Sequence, residues 1–552
     1  MKKLFILLTV LFIGIRAYTQ TPSWLWAKSA GGTGNDLGLS VAVDASGNSY
    51  VAGAINSSSV TFGSTTLTNA GGYDIFLVKY DAGGNVQWAK GAGGTGNDFA
   101  NSVAVDASGN TYITGSFESP TVTFGSTVLT NADNTGNSPD LFLVKYDANG
   151  TVLWAKCASG ATNFDEANSV AVDASGSVYI AGYFYGNSIT FGAITLTNTD
   201  SSGYSNTFLV KYDATGNALW AESSNGGSAT SVTVDASGNT YLTGYFNSST
   251  VTFGSTMLTN DSVGSADIFL AKYNATGNVL WAKSAGGSDL DEANSVAVDV
   301  SGNAYIAGEF YSRTITFGYT NLTNADTTGS TCASFLTKYD ANGNILWAKS
   351  LEGTDDEANS VAVDSSGNTY LVGWFYCDVL TVGSTTLTNM NAGYADIFLA
   401  KYDANGNVLW AKSAGETSND FAISVAVNAS GNTFIAGFFE ASTITFGATT
   451  LTNAFAGHDD IFVAKTGNSV GINELSNSLK SSVYPNPATC NITIEAPQQA
   501  VIEISNIQGQ LIKTFATTGN KTIVDVSALQ GGVYVVEVKT EKGIEVRKFI
   551  KE

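Results

Sequence analysis

The chain has 552 residues, with 25 Lys and Arg against 47 Asp and Glu for a formal charge of −22, and 43% of it is hydrophobic. Its 29 Phe and 24 Tyr exclude a disordered acidic polymer, and 6 Pro without a Gly-X-Y period exclude collagen. The acidic balance offers nothing to phosphates, which argues against nucleic acid, and a single histidine, His458, removes most metal centres and His-based catalysis.

Lys2-Lys3, an apolar run from Leu4 to Ile15 and the small residues Ala17 and Thr19 read as a signal peptide over residues 1–19, cut between Thr19 and Gln20. The run is shorter than the ~20 residues a bilayer span needs. No later stretch holds 18 continuous apolar residues, so no transmembrane segment is expected in the mature chain. Cys157, Cys332, Cys377 and Cys490 form no C-x-x-C pair. They read as isolated small hydrophobes, with a Cys332–Cys377 bond between neighbouring units left open.

Residues 20–466 repeat. Trp-Ala-Lys (once Trp-Ala-Glu) begins at Trp26, Trp88, Trp154, Trp220, Trp281, Trp347 and Trp410, at spacings of 61–66 residues. Between tryptophans the same blocks recur in order. A first strand like Ser-Val-Ala-Val-Asp is followed by an Ala-Ser-Gly-Asn turn and a second strand like Tyr-Ile-Ala-Gly. An insertion follows, from Thr61-Phe62-Gly63 to Leu67-Thr68-Asn69 in the first copy. Then come a third strand like Phe-Leu-Val-Lys-Tyr, a Gly turn and a fourth strand holding the Trp. The blocks are β-branched or aromatic and bounded by Asp, Asn, Ser and Gly, which is strand and hairpin chemistry. In Asp403–Asn407 a Gly stands where the chain needs positive φ.

Four strands per unit at this period predict an all-β, seven-bladed β-propeller. The last copy has a third strand, Asp460–Lys465, but no fourth after it. Ser23–Lys28 is expected to supply that strand and close the ring, which would leave no unpaired edge.

These units resemble the SBBP family, a propeller repeat of bacterial and archaeal surface proteins, over about residues 24–466. The resemblance implies extracellular propeller architecture and no defined reaction. Asp403–Trp410 also resembles the tryptophan-docking motif of quinoprotein-type propellers, which implies a ring held between adjacent blades.

Residues 467–482 are polar and read as a linker. Residues 483–552 alternate as a small β-sandwich. Tyr484-Pro485-Asn486-Pro487, the Gly531-Gly532-Val533-Tyr534 run and the basic close Arg547-Lys548 resemble the type A C-terminal sorting domain of the type IX secretion system of Bacteroidota. The resemblance implies the secretion machinery as a partner, passage across the outer membrane, and release or surface attachment.

Residues 20–466 hold 39 acids and 14 bases, and 13 of those bases are the repeated Lys of the third and fourth strands. Such a surface would attract Ca²⁺ or cationic groups, or simply keep an exported protein soluble. No cofactor is called for. With the first strand innermost, one face of the ring (the upper face) carries the insertions and the approach to each first strand. An acid precedes that strand by four residues at Asp36, Asp98, Asp165, Asp291, Asp356 and Asp420, with Gly227 breaking the series. Three copies add Glu166, Glu292 and Glu357. Six Asp at equivalent positions would ring the channel mouth as a binding site, or would each fix their own loop by accepting N–H groups.

No catalytic constellation is found. The arginine triad of sialidase-like propellers is absent, since Arg313 is the sole Arg of residues 20–466. The reading is a secreted or cell-surface non-enzymatic protein that binds glycan or protein through the upper face. A surface-layer-like coat and a carboxylate hydrolase are the alternatives. Aromatic runs at Tyr183-Phe184-Tyr185 and Trp374-Phe375-Tyr376 bear on the choice, because rings open to solvent favour glycan stacking and buried rings favour structure.

Overall fold

The structure is a computed structural model. It describes residues 21–467 and 481–552, except 134–137, 159, 161–163, 199–202, 263, 327, 497–499, 507–508, 518 and 541–542. The leader and nearly all of the expected linker lie outside the described residues. Every regular element among the described residues is a strand. The described residues fall into two compact units, 21–467 and 481–552.

In the larger unit each repeat folds as an open, four-stranded antiparallel sheet in meander order, as in Asp36–Val43, Ser49–Ile55, Asp74–Tyr80 and Val86–Ala92. These are the repeated sheets of a propeller-like fold. The insertion is a two-residue hairpin, Ser59–Phe62 against Thr65–Thr68, and it recurs in every repeat. The second and third strands carry Tyr, Ile, Phe, Leu and Val and are nearly wholly buried. Ser23–Ala30 pairs antiparallel with Asp460–Gly467, with Ala27 opposite Ala464, so the N-terminal segment is the fourth strand of the last sheet.

First strands pack on first strands of the neighbouring sheets, because Ala and Val at this position are small enough for close approach. Each first strand bulges just before its Ser, as between Gly38 and Ser40. The Ser hydroxyl accepts the N–H of a Val in the following repeat at 3.1–3.2 Å, from Val103 onto Ser40 through to Val425 onto Ser360. A seventh such bond runs from Val41 onto Ser424, joining the first repeat to the last.

A second latch lies further out. The indole N–H of Trp26, Trp88, Trp154, Trp220, Trp281 and Trp347 donates to an Ala carbonyl in the next repeat's third–fourth turn at 3.1–3.3 Å. The ring lies over the glycine of that turn. Gly84 has φ +82°, and a Cβ there would fall 2.8 Å from the Trp26 ring, so two constraints demand glycine at one position. These rings are half-buried; Trp410, at 7% exposure, is the fully buried one. Third-strand lysines turn inward as well. Lys79, Lys145, Lys211, Lys272, Lys338 and Lys401 sit 4.7–5.0 Å over Tyr rings of the second strand.

The smaller unit packs a three-stranded sheet (Ser482–Tyr484, Asn491–Glu495, Lys521–Asp525) with a four-stranded one (Leu511–Ala516, Val501–Asn506, Gly532–Thr540, Gly543–Lys551). Ile492, Ile494, Ile502, Ile504, Val536, Val538 and Phe549 make its core.

Candidate functional site

The six aspartates do not stand in a loop ahead of the first strand, as their sequence position suggested. Each is the first residue of that strand, paired with the last residue of the second, as Asp36 with Ile55. All six are fully buried. They therefore do not open onto the channel mouth. Strand alternation turns them into the sheet, where the connecting loops cover them. Asp36 Oδ2 accepts the Ser57 hydroxyl at 2.6 Å and Oδ1 accepts the Asn56 and Ser57 N–H groups. Asp98 with Ser119 and Asp291 with Ser312 repeat the pair at 2.7 and 2.8 Å.

In the other three copies the serine is replaced by Gly186, Cys377 or Ala441. One carboxyl oxygen of Asp165, Asp356 and Asp420 is then without a partner. Burial, the dominant cause, raises these three to about 7, 6 and 8. A second series was missed in the sequence. Asp74, Asp140, Asp267, Asp396 and Asp460 open the third strands and accept an N–H from the loop before them at 2.7–2.9 Å, and burial raises each to about 6.

The chemistry that differs between copies gathers elsewhere. On the upper face, the second residue of each first strand pairs with the penultimate residue of its own second strand. The pairs are Leu37–Ala54, Phe99–Ser116, Glu166–Tyr183, Ser228–Tyr245, Glu292–Glu309, Glu357–Trp374 and Phe421–Phe438. Between sheets the second-strand residue meets the next repeat's first strand. Trp374 and Phe421 rings meet edge-on at 5.8 Å, and the Glu309 carboxyl contacts Glu357. The result is an uneven circle of residues around the inner strands, acidic and tyrosine-rich across the third to sixth repeats and apolar elsewhere.

Within it, Glu309 is 8% exposed and its Oε2 has no donor. Contact with Glu357 is satisfied only when one of the two carboxyls holds a proton. Burial first, then the Glu357 charge, pushes Glu309 far above the carboxylate range. Burial and Glu357 raise Glu292 to about 7. Glu166 is held by the Tyr183 hydroxyl at 2.6 Å and the Asn101 amide at 2.8 Å. The rings are neither wholly buried nor free: Tyr183, Tyr245, Trp374 and Tyr376 are half-buried, and Tyr185 is 45% exposed. Glu309 and Tyr245 were not singled out in the sequence. No common residue marks this position, since the other copies carry Ala54, Ser116, Tyr183, Trp374 and Phe438 there.

The remaining candidates are structural. The Asp of the first–second turn ties the turn itself: Asp44 Oδ1 accepts two N–H groups, and Oδ2 takes the Asn48 amide and the Tyr50 hydroxyl. Among the described residues no group of three His, Cys, Asp or Glu is arranged for a metal ion. His458 contacts Asn35 on a polar loop, and all four Cys are free thiols. At the opposite end from the upper face, the inner strands line a wide, open depression of about 370 Å³ with Val, Ala and Thr233.

In the smaller unit Tyr484 is exposed and hydrogen-bonds Glu495 at 2.9 Å. Pro485 and Pro487 flank Asn486, whose side chain bridges the Lys548 carbonyl and the Ile550 N–H. Gly531 and Gly532 lead into the last hairpin, where Tyr534 stacks on Phe549 at 5.4 Å. The family described as secretion system C-terminal sorting domain matches residues 482–552, and the SBBP β-propeller repeat matches residues 87–116. The chain carries SBBP propeller repeats and a type IX sorting domain. The sorting domain supports export of this SBBP-repeat protein and a place at the cell surface.

Among curated proteins, an uncharacterized WD repeat-containing protein of Acanthamoeba polyphaga mimivirus is 26% identical, covering 76% of this chain and 36% of its own length. The regulatory protein FlaEY of Caulobacter vibrioides is 31% identical over 30% of this chain and 18% of its own length. The chain thus spans well under half of either relative. Among solved structures, PorZ, a surface component of the type IX system of Porphyromonas gingivalis, aligns at 12% identity over 94% of this chain and 82% of PorZ, with a TM-score of 0.20. No helix among the described residues is long and apolar enough to cross a membrane.

Proposed function

We propose that the seven sheets form one closed, seven-bladed ring and that the protein is a non-enzymatic binding protein whose upper face engages a glycan or protein ligand. Ring closure is supported by Ser23–Ala30 pairing with Asp460–Gly467 and by the Val41–Ser424 bond, which returns the chain of inner-strand bonds to its start. We place the signal peptide at residues 1–19 and the propeller at 20–466. A linker at 467–482 leads to the sorting module at 483–552.

One observation carries the binding assignment. The repeats agree in inner strands, turns and latches, yet diverge in the circle of upper-face pairs, where acids and aromatic rings reach solvent. Latch positions serve the fold and stay alike, whereas a ligand that touches one side of a ring needs unlike copies. The buried aspartates act as loop ties, so binding falls to Glu166, Glu292, Glu357 and the rings beside them. A non-enzymatic role fits Glu309 and Glu357. Carboxyls in hydrogen-bond contact leave no room for a sugar between them, and glycoside hydrolysis needs about 5–9.5 Å.

The test is a glycan and surface-protein array probed with the full chain and with the triple variant E166Q/E292Q/W374A. Hits lost in the variant support the assignment. Hits unchanged in the variant, or none at any ionic strength, overturn it.

A further inference from the structure

The seam between the third and fourth repeats gathers three tyrosines from two sheets. Tyr183 lies on Val178–Phe184, Tyr185 follows that strand directly, and Tyr245 lies on Thr240–Phe246. Tyr183 and Tyr185 stand nearly perpendicular, at 86°, with centroids 5.8 Å apart. The Tyr245 hydroxyl is close enough to Glu292, Tyr185 and Glu166 for all three to raise it, after burial itself. The Tyr183 hydroxyl is tied to Glu166 at 2.6 Å, and the Asn101 amide holds that carboxylate from the other side. The Tyr183 ring is therefore fixed in orientation before any ligand arrives, and Tyr185 packs edge-on against it. Tyr185 remains 45% exposed, so the corner is open to solvent.

These rings differ from the other second-strand tyrosines in one respect. Tyr50, Tyr112, Tyr179, Tyr241, Tyr305 and Tyr370 each carry a Lys Nζ 4.7–5.0 Å over the ring. Among the described residues no cation lies over Tyr183, Tyr185 or Tyr245. The chain thus builds the same ring–cation geometry six times with its own lysines and leaves this corner of three rings, like the one at Trp374, Tyr376 and Phe421, without one among the described residues.

We infer that Tyr183, Tyr185 and Tyr245, backed by Glu166 and Glu292, form an aromatic cage for an alkylated ammonium group. Perpendicular ring faces converge on a rounded cation, whereas a flat sugar face prefers a single platform. Glu166 already accepts two hydrogen bonds, so it supplies charge rather than metal coordination. A diffuse, weakly hydrated quaternary ammonium loses little on leaving water for such a site. The −22 charge of the chain favours its approach. The inference deepens the proposed function, since it rests on the upper face being the binding face, and it names one subsite there.

The experiment titrates the full chain with choline chloride, followed by tyrosine fluorescence and calorimetry, beside the neutral isostere 3,3-dimethylbutanol. Choline should saturate and bind at least about tenfold more tightly than the isostere. Tyr185→Ala and Tyr245→Leu should abolish saturation, and Glu292→Gln should weaken it severalfold. Tyr319→Ala, on the exposed turn of an insertion hairpin, should leave it unchanged. Melting curves establish that each variant is folded. Phosphatidylcholine vesicles against phosphatidylglycerol vesicles separate a lipid-borne headgroup from a soluble source; retention on the former alone assigns the lipid source, and choline saturation without retention assigns a soluble one. Equal affinity for the isostere, no saturation, or unchanged binding in folded Y185A overturns the cage. A positive glycan array beside a failed choline titration removes the cage and leaves the binding face standing.

Discussion

The aspartate–serine tie makes a sharp prediction in the last repeat. Where the tie exists, a glycine faces the serine: a Cβ on Gly32, Gly94 or Gly287 would lie 2.6–2.7 Å from Ser57, Ser119 or Ser312 side-chain atoms. The last repeat has Glu416 at the glycine position and Ala441 at the serine position, and Asp420 is left with an unpartnered oxygen. Ala441→Ser alone should thus fail, because its hydroxyl would collide with the Glu416 Cβ, an overlap costing on the order of 1–3 kcal/mol. Glu416→Gly alone should cost about 0.5–1 kcal/mol. Together they should restore the tie. A hydrogen bond to a charged group is worth about 1.5–3 kcal/mol, so the double variant should be more stable than the parent by about 1 kcal/mol. The coupling should reach at least about 1.5 kcal/mol.

The sign with pH follows. Burial holds Asp420 at about 8, above its unfolded value of 3.8, so its cost to the fold appears as pH rises from about 4 to 8. The restored hydroxyl lowers that value, and the gain should be larger at pH 8.5 than at pH 5. Urea unfolding of the four proteins at both pH values measures this. Additive single effects, with coupling under about 0.5 kcal/mol, would refute the tie.

Other expectations follow from the same geometry. The raised carboxyls hold protons in the fold that the unfolded chain releases, so melting temperature should fall between pH 5 and pH 8.5. Glu309→Gln should flatten that fall and raise stability at pH 8.5; a flat parent profile contradicts the shifts of Asp165, Asp420 and Glu309. Trp347→Ala removes a ring and its bond to the Ala404 carbonyl, and should cost about 3 kcal/mol by denaturant unfolding. Gly84→Ala meets both positive φ and the Trp26 ring and should cost at least about 2 kcal/mol. Gly457→Ala, at φ +93° with nothing within 4 Å, should cost about 1 kcal/mol; equal costs would deny the latch.

The repeat made much of the fold readable. Tryptophan spacing and glycine turns recur, recurrence filters noise, and the one copy short of a fourth strand stands out against the rest. Burial of Asp36 and its equivalents was misjudged because a carboxylate before an apolar block looks like a loop residue. The corrective signal lay 21 residues on, in a serine present where Gly32 or its counterpart is present. Lysines were harder still. Lys79 alternates as a surface residue would, and only the register with Tyr50 shows it spent on a ring. The seam site was least legible, because Glu309 meets Glu357 across two different sheets and no local pattern records that meeting.

Closure by the N-terminal segment is tested most directly by engineered cysteines at Ala27 and Ala464, which the register sets opposite each other. In a background with the four native cysteines replaced by alanine, mild oxidation and peptide mass spectrometry should yield a 27–464 disulfide within monomers at high occupancy. Oxidation that gives only dimers, or leaves both thiols free in a folded protein, would contradict a ring completed by its own first strand.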